Sequence, residues 1–332
     1  MNGMDFKELI DLASDKLGGA VLYANDDFFA PKENLLKAAT PVWIEGKYTD
    51  LGKWMDGWET RRRRSPRLDE TFDWCVIRLG FPGEVKGVVV DTAYFRGNYP
   101  EHCSVEACAS DGKADIAHLL SGATDWAEIL PKSTLKGDWQ NEFAIDHAGR
   151  VTHLRFKIYP DGGVARLRVH GHVLADWEAL KRRNSEIDLA AAENGGSVLV
   201  ASDMFFGHRH NLIMPGLARD MSDGWESQRR RGAGHDWCVI RLGAKGTITR
   251  VTVDTSHFKG NYPESCSLEG GISSGDLEQI QWRELLPMSK LQAHTRHSFV
   301  GELADLGDIT HVRFNIFPDG GVSRLRLYGR IA

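Results

Sequence analysis

Hydrophobic and polar residues alternate along most of the chain, and this alternation predicts β-strands. In HLRFKIY (residues 153–159), Leu154, Phe156 and Ile158 alternate with Arg155, Lys157 and Tyr159, which is the period of a half-buried strand. DWCVIRLG, GVVVDTAYF and ARLRVHG have strand patterns too, and RGNYP and PDGG between them predict turns. The chain is therefore expected to consist mainly of short antiparallel strands.

The same segments occur twice in the same order. DWCVIRLG begins at residues 73 and 236, DTAYFRGNYPE at 91 matches DTSHFKGNYPE at 254, and THLRFKIYPDGGVARLRVHG at 152 matches THVRFNIFPDGGVSRLRLYG at 310. A repeat this long indicates a duplicated domain rather than a solenoid. We predict a first domain over residues 1–175, a linker over 176–185 and a second domain over 186–332.

Many short strands with Gly- and Pro-containing turns favour an all-β fold of two tandem jelly-roll β-sandwiches with few short helices. Helical patterns are confined to the start of each copy, to short pieces such as WAEILP (residues 126–131), and to part of the linker LADWEALKRRNSE.

Composition narrows the class of protein. A formal net charge of -5 over 332 residues argues against a general nucleic-acid binder, and no apolar run approaches the roughly 18 residues that span a membrane. The N-terminal segment lacks the layout of a signal peptide, and the five cysteines resemble small buried hydrophobes of a reducing compartment, so we expect a cytoplasmic protein. No cofactor is evident, and a divalent metal is possible without support from any motif.

Two arginine runs follow the same motif, in DGWETRRRR (residues 56–64) and DGWESQRRR (223–231). They fit a surface edge whose arginines pair with Asp69, Glu70 and Asp73, or a loop that binds a carboxylate or phosphate, because guanidinium groups grip oxyanions bidentately. Both interpretations stay open. The candidate ligand-binding arginines are Arg62, Arg63, Arg64, Arg229, Arg230 and Arg231.

Acidic and amide residues recur beside these runs. Glu59 and Glu226 are candidates for a general acid or base, with a pKa lowered by the arginines, although a salt bridge that shapes the loop is somewhat favoured. Asn98 and Asn261 in GNYPE are expected at left-handed turn positions, with a polar ligand contact as the alternative.

Several histidines occur in the second copy alone. His208 and His210 would share one face of an extended segment, but without a placed third ligand we do not expect a metal site there. His235 and His257 replace a phenylalanine and a tyrosine of the first copy, and His235 is a candidate catalytic residue.

DGWETRRRR, HDWCVIRLG, DTSHFKGNYPE and FPDGGVSRLRLYG, in this order and over nearly the whole chain, resemble the allantoicase family. The resemblance implies galactose-binding-like jelly rolls and hydrolysis of allantoate to ureidoglycolate and urea in allantoin and purine catabolism. An arginine would hold the substrate carboxylate and Asn98 or Asn261 its ureido groups. Glu59, Glu226 or His235 would protonate the leaving urea.

Alternatives from other classes remain. A non-catalytic jelly-roll module could bind an anionic or sugar ligand, because fold alone does not decide function, and a ureidoglycolate lyase would act on a related compound. For the partners we expect a small-molecule substrate, no nucleic acid or membrane, and a homo-oligomer. We also expect unequal copies, in which one of Glu59 and Glu226 matters far more than the other.

Overall fold

The computed structural model describes residues 5–64, 67, 71–110, 115–182 and 185–332. Contacts divide the chain into two compact units, Met1–Leu174 and Ala175–Ala332. Within the described ranges, no helix is long and apolar enough to cross a membrane. Asp69 and Glu70, the expected partners of the first arginine run, lie outside the described residues.

The first unit is built from strands joined by short loops. Its described strands are β1 (Ile10–Asp11), β2 (Ala20–Ala24), β3 (Tyr48–Thr49), β4 (Gly52–Lys53), β5 (Trp58–Glu59), β6 (Asp73–Asp91), β7 (His102–Cys108), β8 (Ala127–Thr134), β9 (Gln140–Ala144), β10 (Val151–Tyr159), β11 (Gly163–Val164) and β12 (Arg166–Val173).

Strand β6 runs through both layers of this unit. Its first part pairs with β2 and β10, so that Ile77 lies between Val21 and Leu154. Its second part pairs with β9 and β12, so that Val89 lies between Glu142 and Arg168. The strand orders are therefore β2-β6-β10-β7-β8 and β1-β12-β6-β9. One strand that passes from sheet to sheet in this way makes the corner of a β-sandwich.

The second unit repeats this plan. Its described strands are β13 (Ile187–Asp188), β14 (Ser197–Ala201), β15 (Trp225–Glu226), β16 (Asp236–Asp254), β17 (Ser265–Gly271), β18 (Arg283–Lys290), β19 (Arg296–Phe299), β20 (Ile309–Phe317), β21 (Gly321–Val322) and β22 (Arg324–Ile331). Strand β16 is equivalent to β6, since its first part pairs with β14 and β20 and its second part pairs with β19 and β22. The all-β prediction is confirmed.

Helices are short. Within the described residues the α-helices are α1 (Ile116–Leu120) and α2 (Trp177–Arg182), and α2 agrees with the partly helical linker. The 3-10 helices are Phe6–Glu8, Asp15–Leu17, Lys32–Leu36, Ala192–Asn194, Arg209–Ile213 and Met221–Asp223. The helical pattern at the start of each copy thus yields isolated turns, since helix nucleation is costly and few residues there follow it.

Two details of the strand prediction were wrong. WAEILP was expected to be helical, yet Ala127–Thr134 is strand β8, because pairing with β7 sets Leu130 opposite Val105 and buries it. DWCVIRLG and GVVVDTAYF were predicted as separate strands, but DWCVIRLG and the GVVVD part of the second segment lie in the continuous strand β6, which ends at Asp91. The alternation in HLRFKIY is confirmed, since Leu154, Phe156 and Ile158 are fully buried in β10.

A buried ion pair fixes the loop that precedes β5. Arg166, only 1% exposed, binds Asp56 Oδ2 at 2.7 Å and donates to the Asp56 and Ala39 carbonyl oxygens at 2.9 Å. Burial pushes the pKa of Asp56 upward, but the bonds from Arg166 and the Val42 amide outweigh it and hold the pKa below its ordinary value. Asp223 and Arg324 form the same pair in the second unit, at 3.2 Å.

We predict that Arg166→Met lowers the free energy of unfolding by about 3–5 kcal/mol, because it leaves Asp56 charged and buried without its main partner. Lys37 is a matched control, since its exposed ammonium group lies 3.7 Å from the other oxygen of the same carboxylate. Lys37→Met should cost less than about 1 kcal/mol. Urea unfolding midpoints and thermal melting of both variants measure the difference, and equal losses would contradict the structural role of Arg166.

Candidate active site

The two-residue strand β5 places Glu59. Its neighbour Trp58 is fully buried, donates from Nε1 to the Asp26 carbonyl at 2.8 Å, and packs on Phe156 with ring centroids 6.2 Å apart. Glu59 itself pairs through its backbone with Gly163 on one side and with Ala30 on the other. The carboxyl group is therefore presented from a fixed piece of backbone.

Glycines let three segments approach each other here. A Cβ on Gly163 would lie 1.9 Å from the ring of buried Phe95, and one on Gly57 would lie 2.6 Å from the Val164 carbonyl. The amide of Gly163 also donates to the Asn98 carbonyl at 2.7 Å. This contact holds Asn98 beside β5, because no side chain separates the backbones.

Asn98 and Glu59 form the polar centre of the site. The Asn98 amide donates to Glu59 Oε1 at 2.7 Å, and in the second unit the Asn261 amide donates to Glu226 in the same way. The expectation of left-handed turn positions for both asparagines was wrong. The non-glycine residues with positive φ in these turns are Tyr94 (69°) and His257 (71°).

Glu59 opens into a cavity of about 650 Å³, a size typical of small-molecule sites. The cavity is walled by the hairpin β3–β4 and by the loop that follows β6. Its lining residues are Phe29, Trp43, Gly52, Lys53, Met55, Glu59, Tyr94, Arg96, Gly97 and Asn98.

Burial sets the charge state of Glu59. Burial raises the pKa of this carboxyl group above its ordinary value of 4.5, and the Asn98 hydrogen bond and the Arg62 charge offset that rise only in part. The expectation that neighbouring arginines lower this pKa was therefore wrong for Glu59, because desolvation is the larger effect. A raised pKa keeps the acid form of Glu59 present to higher pH than in an ordinary glutamate, which suits proton donation.

The arginine runs serve mainly as anchors in the structure. Arg63 binds buried Asp73 through Nε at 2.9 Å and, through its backbone amide, buried Asp161 at 2.7 Å. Arg230 repeats this with Asp236 at 2.5 Å and with Asp319 at 2.7 Å. For these two arginines the structure supports the first interpretation, in which the run pairs with acids.

The other arginines of the runs are more exposed. Arg62 binds Asp161 at 2.9 Å and donates to the Gly97 carbonyl at 3.1 Å, at the rim of the cavity. A second concavity, of about 490 Å³, is lined by Asn25, Asp26, Arg61, Arg62, Arg63, Arg64 and Asp73. Arg64, Arg229 and Arg231 are exposed.

The second unit keeps the glutamate–asparagine pair but not the wall of the cavity. Trp58 follows Ala30 by 28 positions, whereas Trp225 follows Gly207 by only 18, and the chain between them has no counterpart of the hairpin β3–β4 among the described strands. His257 Nε2 instead donates to the Ala218 carbonyl at 3.0 Å in the shorter segment. The two units therefore surround the same pair differently.

His235 lies in another part of the second unit. Its Nε2 lies 3.2 Å from Asn315 Oδ1, and its ring centroid lies 4.5 Å from that of Phe317. It lines a concavity of about 290 Å³ together with Glu269, Glu284 and Arg313, and Glu226 is not among the described residues of that lining.

His208 and His210 flank the start of a 3-10 helix, with ring centroids 5.0 Å apart. His208 caps that helix, because its Nδ1 accepts from the His210 amide at 3.3 Å. In the described part of the chain, no three His, Cys, Asp or Glu side chains are grouped so as to hold a metal ion.

Sequence analysis did not identify the cavity-lining residues Phe29, Trp43, Lys53, Tyr94 and Arg96. The available signal was the difference in length between the copies, because the longer segment of the first copy contains Trp43 and the hairpin that supplies Lys53.

Fold and site together define a duplicated β-sandwich protein with a half-buried carboxyl group in a small-molecule cavity. A family model for the allantoicase repeat matches residues 10–174 and 187–332. The probable allantoicases of Stutzerimonas stutzeri and Photobacterium profundum are 49% and 47% identical to the chain, and each alignment covers 98% of it and 97% and 98% of the relative, respectively. The crystal structure of allantoicase from Saccharomyces cerevisiae superposes with a TM-score of 0.83 at 34% identity, covering 98% of this chain and 96% of that chain. The chain belongs to the allantoicase family.

We predict that Glu59→Gln stabilises the protein near neutral pH. Because folding raises the pKa of Glu59, the wild type is stabilised by the neutral acid below its ordinary pKa and loses that stability as pH rises through the raised value. Gln stays neutral and can still accept from Asn98. The melting temperature of the variant should exceed that of the wild type at pH 7 and approach it below pH 4.5. A difference independent of pH would contradict the raised pKa.

Proposed function

We propose that the chain hydrolyses allantoate to ureidoglycolate and urea at the cavity of the first unit, with Glu59 as the proton donor. Membership of the family makes the chain a hydrolase of carbon–nitrogen bonds in linear amidines, EC 3.5.3.4. The observation that carries the placement is Glu59, a half-buried carboxyl group with a raised pKa that opens into the 650 Å³ cavity.

The reaction needs a proton at the leaving nitrogen. The bond between the central carbon and one ureido nitrogen breaks, its electron pair stays on that nitrogen, and Glu59 supplies the proton that completes urea. The lone pair of the remaining ureido group stabilises the electron-poor carbon. Water then adds to this carbon and returns a proton to the Glu59 carboxylate. The products are ureidoglycolate and urea, and the acid is restored.

Asn98 acts as a positioning residue for this acid. Because its amide donates to Glu59 Oε1 at 2.7 Å, the neutral carboxyl group carries its proton best on Oε2. The backbone bond from Gly163 to the Asn98 carbonyl, at 2.7 Å, holds this arrangement. Asn98 also lines the cavity, where it can contact a ureido group.

The second unit is proposed to play no catalytic part. Glu226 keeps its bond from Asn261, but the hairpin that walls the cavity in the first unit has no counterpart among the described strands. A catalytic role for His235 finds little support, because this histidine lies in a concavity whose described lining does not include Glu226.

We also infer a reducing, cytoplasmic location. This is supported by five buried free cysteines, whose pKa values are all raised by burial, to about 12 for Cys103 and about 11 for Cys108, which keeps the thiols unreactive. The homo-oligomer expected from the sequence remains a prediction, which sedimentation of the purified chain would test.

Glu59→Gln should lower kcat by roughly 10²–10⁴, because it removes the proton donor while keeping the shape of the side chain. Glu226→Gln is the matched control in the other unit, and it should change kcat by less than about threefold, because Gln keeps the side-chain shape and can still accept from Asn261. In the wild type, kcat should fall as pH rises through the raised pKa of Glu59, since the acid form is the donor.

These rates are measured by urea release, with thermal melting to confirm folding of each variant. Two variants that each keep half of the activity would instead indicate two equivalent sites. Two fully active variants would remove both glutamates from the mechanism.

The substrate assignment predicts that allantoate releases one equivalent of urea and that ureidoglycolate, offered alone, releases none. The cavity must discriminate between them through the second ureido group. Release of urea from ureidoglycolate would instead support a lyase, and binding of sugars without any turnover of allantoate would support a non-catalytic module.

A further inference from the structure

Two cations line the cavity besides the acid Glu59. Lys53 comes from strand β4 of the hairpin, and Arg96 from the loop after β6. They are 43 positions apart in the sequence, and neither belongs to the arginine run. Among the described residues, the charged lining is thus one glutamate and two cations, which favours an anionic ligand.

Lys53 has an aromatic neighbour in place of an acid. Its Nζ lies 4.2 Å from the centroid of the Trp43 ring, and within the described part of the chain no carboxylate lies at ion-pair distance from it. An aromatic face holds an ammonium group in place without neutralising it. Lys53 therefore offers its charge to whatever enters the cavity.

Arg96 contacts Asp138 through its Nε alone, so its two terminal amino groups can make other contacts. Its Nε donates to Asp138 Oδ2 at 2.9 Å, and the other oxygen of Asp138 accepts from the Tyr94 amide at 2.8 Å. The Tyr94 ring in turn lies 5.9 Å from Trp43. Contacts thus connect Lys53, Trp43, Tyr94, Asp138 and Arg96 around one wall of the cavity.

The arginine run is less suited to this task. Arg62 already binds the carboxylate of Asp161 and the carbonyl of Gly97 and is not among the described residues that line the cavity. Arg63 binds Asp73. A substrate carboxylate would have to compete with these acids, whereas Lys53 has no such competitor among the described residues.

We propose that Lys53 and Arg96 form the subsite that binds the carboxylate of the substrate, opposite the ureido group that Glu59 protonates. This subsite proposal rests on the proposed function of the cavity, and it names the residues that determine the substrate specificity of that cavity. The subsite selects small ureido acids over neutral ureido compounds, because a carboxylate is attracted by both cations and a neutral group is not.

The second unit provides an internal comparison. It has no counterpart of the hairpin among its described strands, Lys259 stands at the position of Arg96, and His257 stands at that of Tyr94. His294 takes the place of Asp138, since its Nδ1 accepts from the His257 amide at 2.7 Å. Lys259→Met is therefore a matched control that removes a cation from the equivalent loop.

The test measures KM and kcat for allantoate in Lys53→Met, Arg96→Met and the control Lys259→Met. Each of the first two variants should raise KM about five- to tenfold, as expected for a partly exposed charged contact, with kcat within about threefold. Lys53→Arg should restore most of the loss, and Lys259→Met should have no effect. Inhibition by N-carbamoylglycine should weaken in parallel, whereas inhibition by its amide, which lacks the carboxylate, should not change.

Three results would overturn the subsite. One is unchanged KM in both variants and in the double variant. Another is equal weakening of N-carbamoylglycine and its amide, which would indicate a damaged wall. The third is a selective effect of Arg62→Met on N-carbamoylglycine in place of Lys53 and Arg96. If the subsite is rejected but Glu59→Gln is inactive, the proposal that Glu59 is the proton donor still stands. A fully active Glu59→Gln enzyme would reject that proposal independently of the subsite.

Discussion

The buried pair of Asp56 and Arg166 is the interaction on which the site depends. Arg166 lies at the start of β12, in the sheet, and Asp56 lies three residues before Glu59, so their bond ties the loop to the body of the unit. Fully buried Trp58, between Asp56 and Glu59 in sequence, fills the core. A buried charge without its partner is costly, so the loop has little freedom to move, and Glu59 is presented in one place.

This constraint explains why the motif occurs twice without requiring two active sites. Asp223, Trp225 and Arg324 make the same contacts in the second unit, so most of Asp-Gly-Trp-Glu and part of each arginine run are needed to hold the fold. The glutamate–asparagine pair, Glu59 with Asn98 and Glu226 with Asn261, is positioned by these shared contacts in both units. What differs is the segment before the motif, which in the first unit is long enough to form a hairpin over the glutamate.

Strand patterns and the repeat were visible in the sequence because burial of Leu154, Phe156 and Ile158 follows directly from alternation. WAEILP was misjudged because its pairing with β7 is a tertiary effect. Glu59 and Asn98 could be named from their motifs, but the direction of the Glu59 pKa shift depends on burial, which no local pattern contains. Lys53 and Arg96 could not be paired at all, since a hairpin and a distant loop bring them to one wall.

The central claim is that allantoate binds in the cavity of the first unit and is protonated there by Glu59. The most direct test is a crystal structure of the Glu59→Gln variant soaked with allantoate. We expect the ligand in this cavity, with a ureido nitrogen beside the substituted side chain and the carboxylate toward Lys53 and Arg96. Allantoate bound beside Glu226, or in the concavity formed by the arginine run with this cavity empty, would contradict the account.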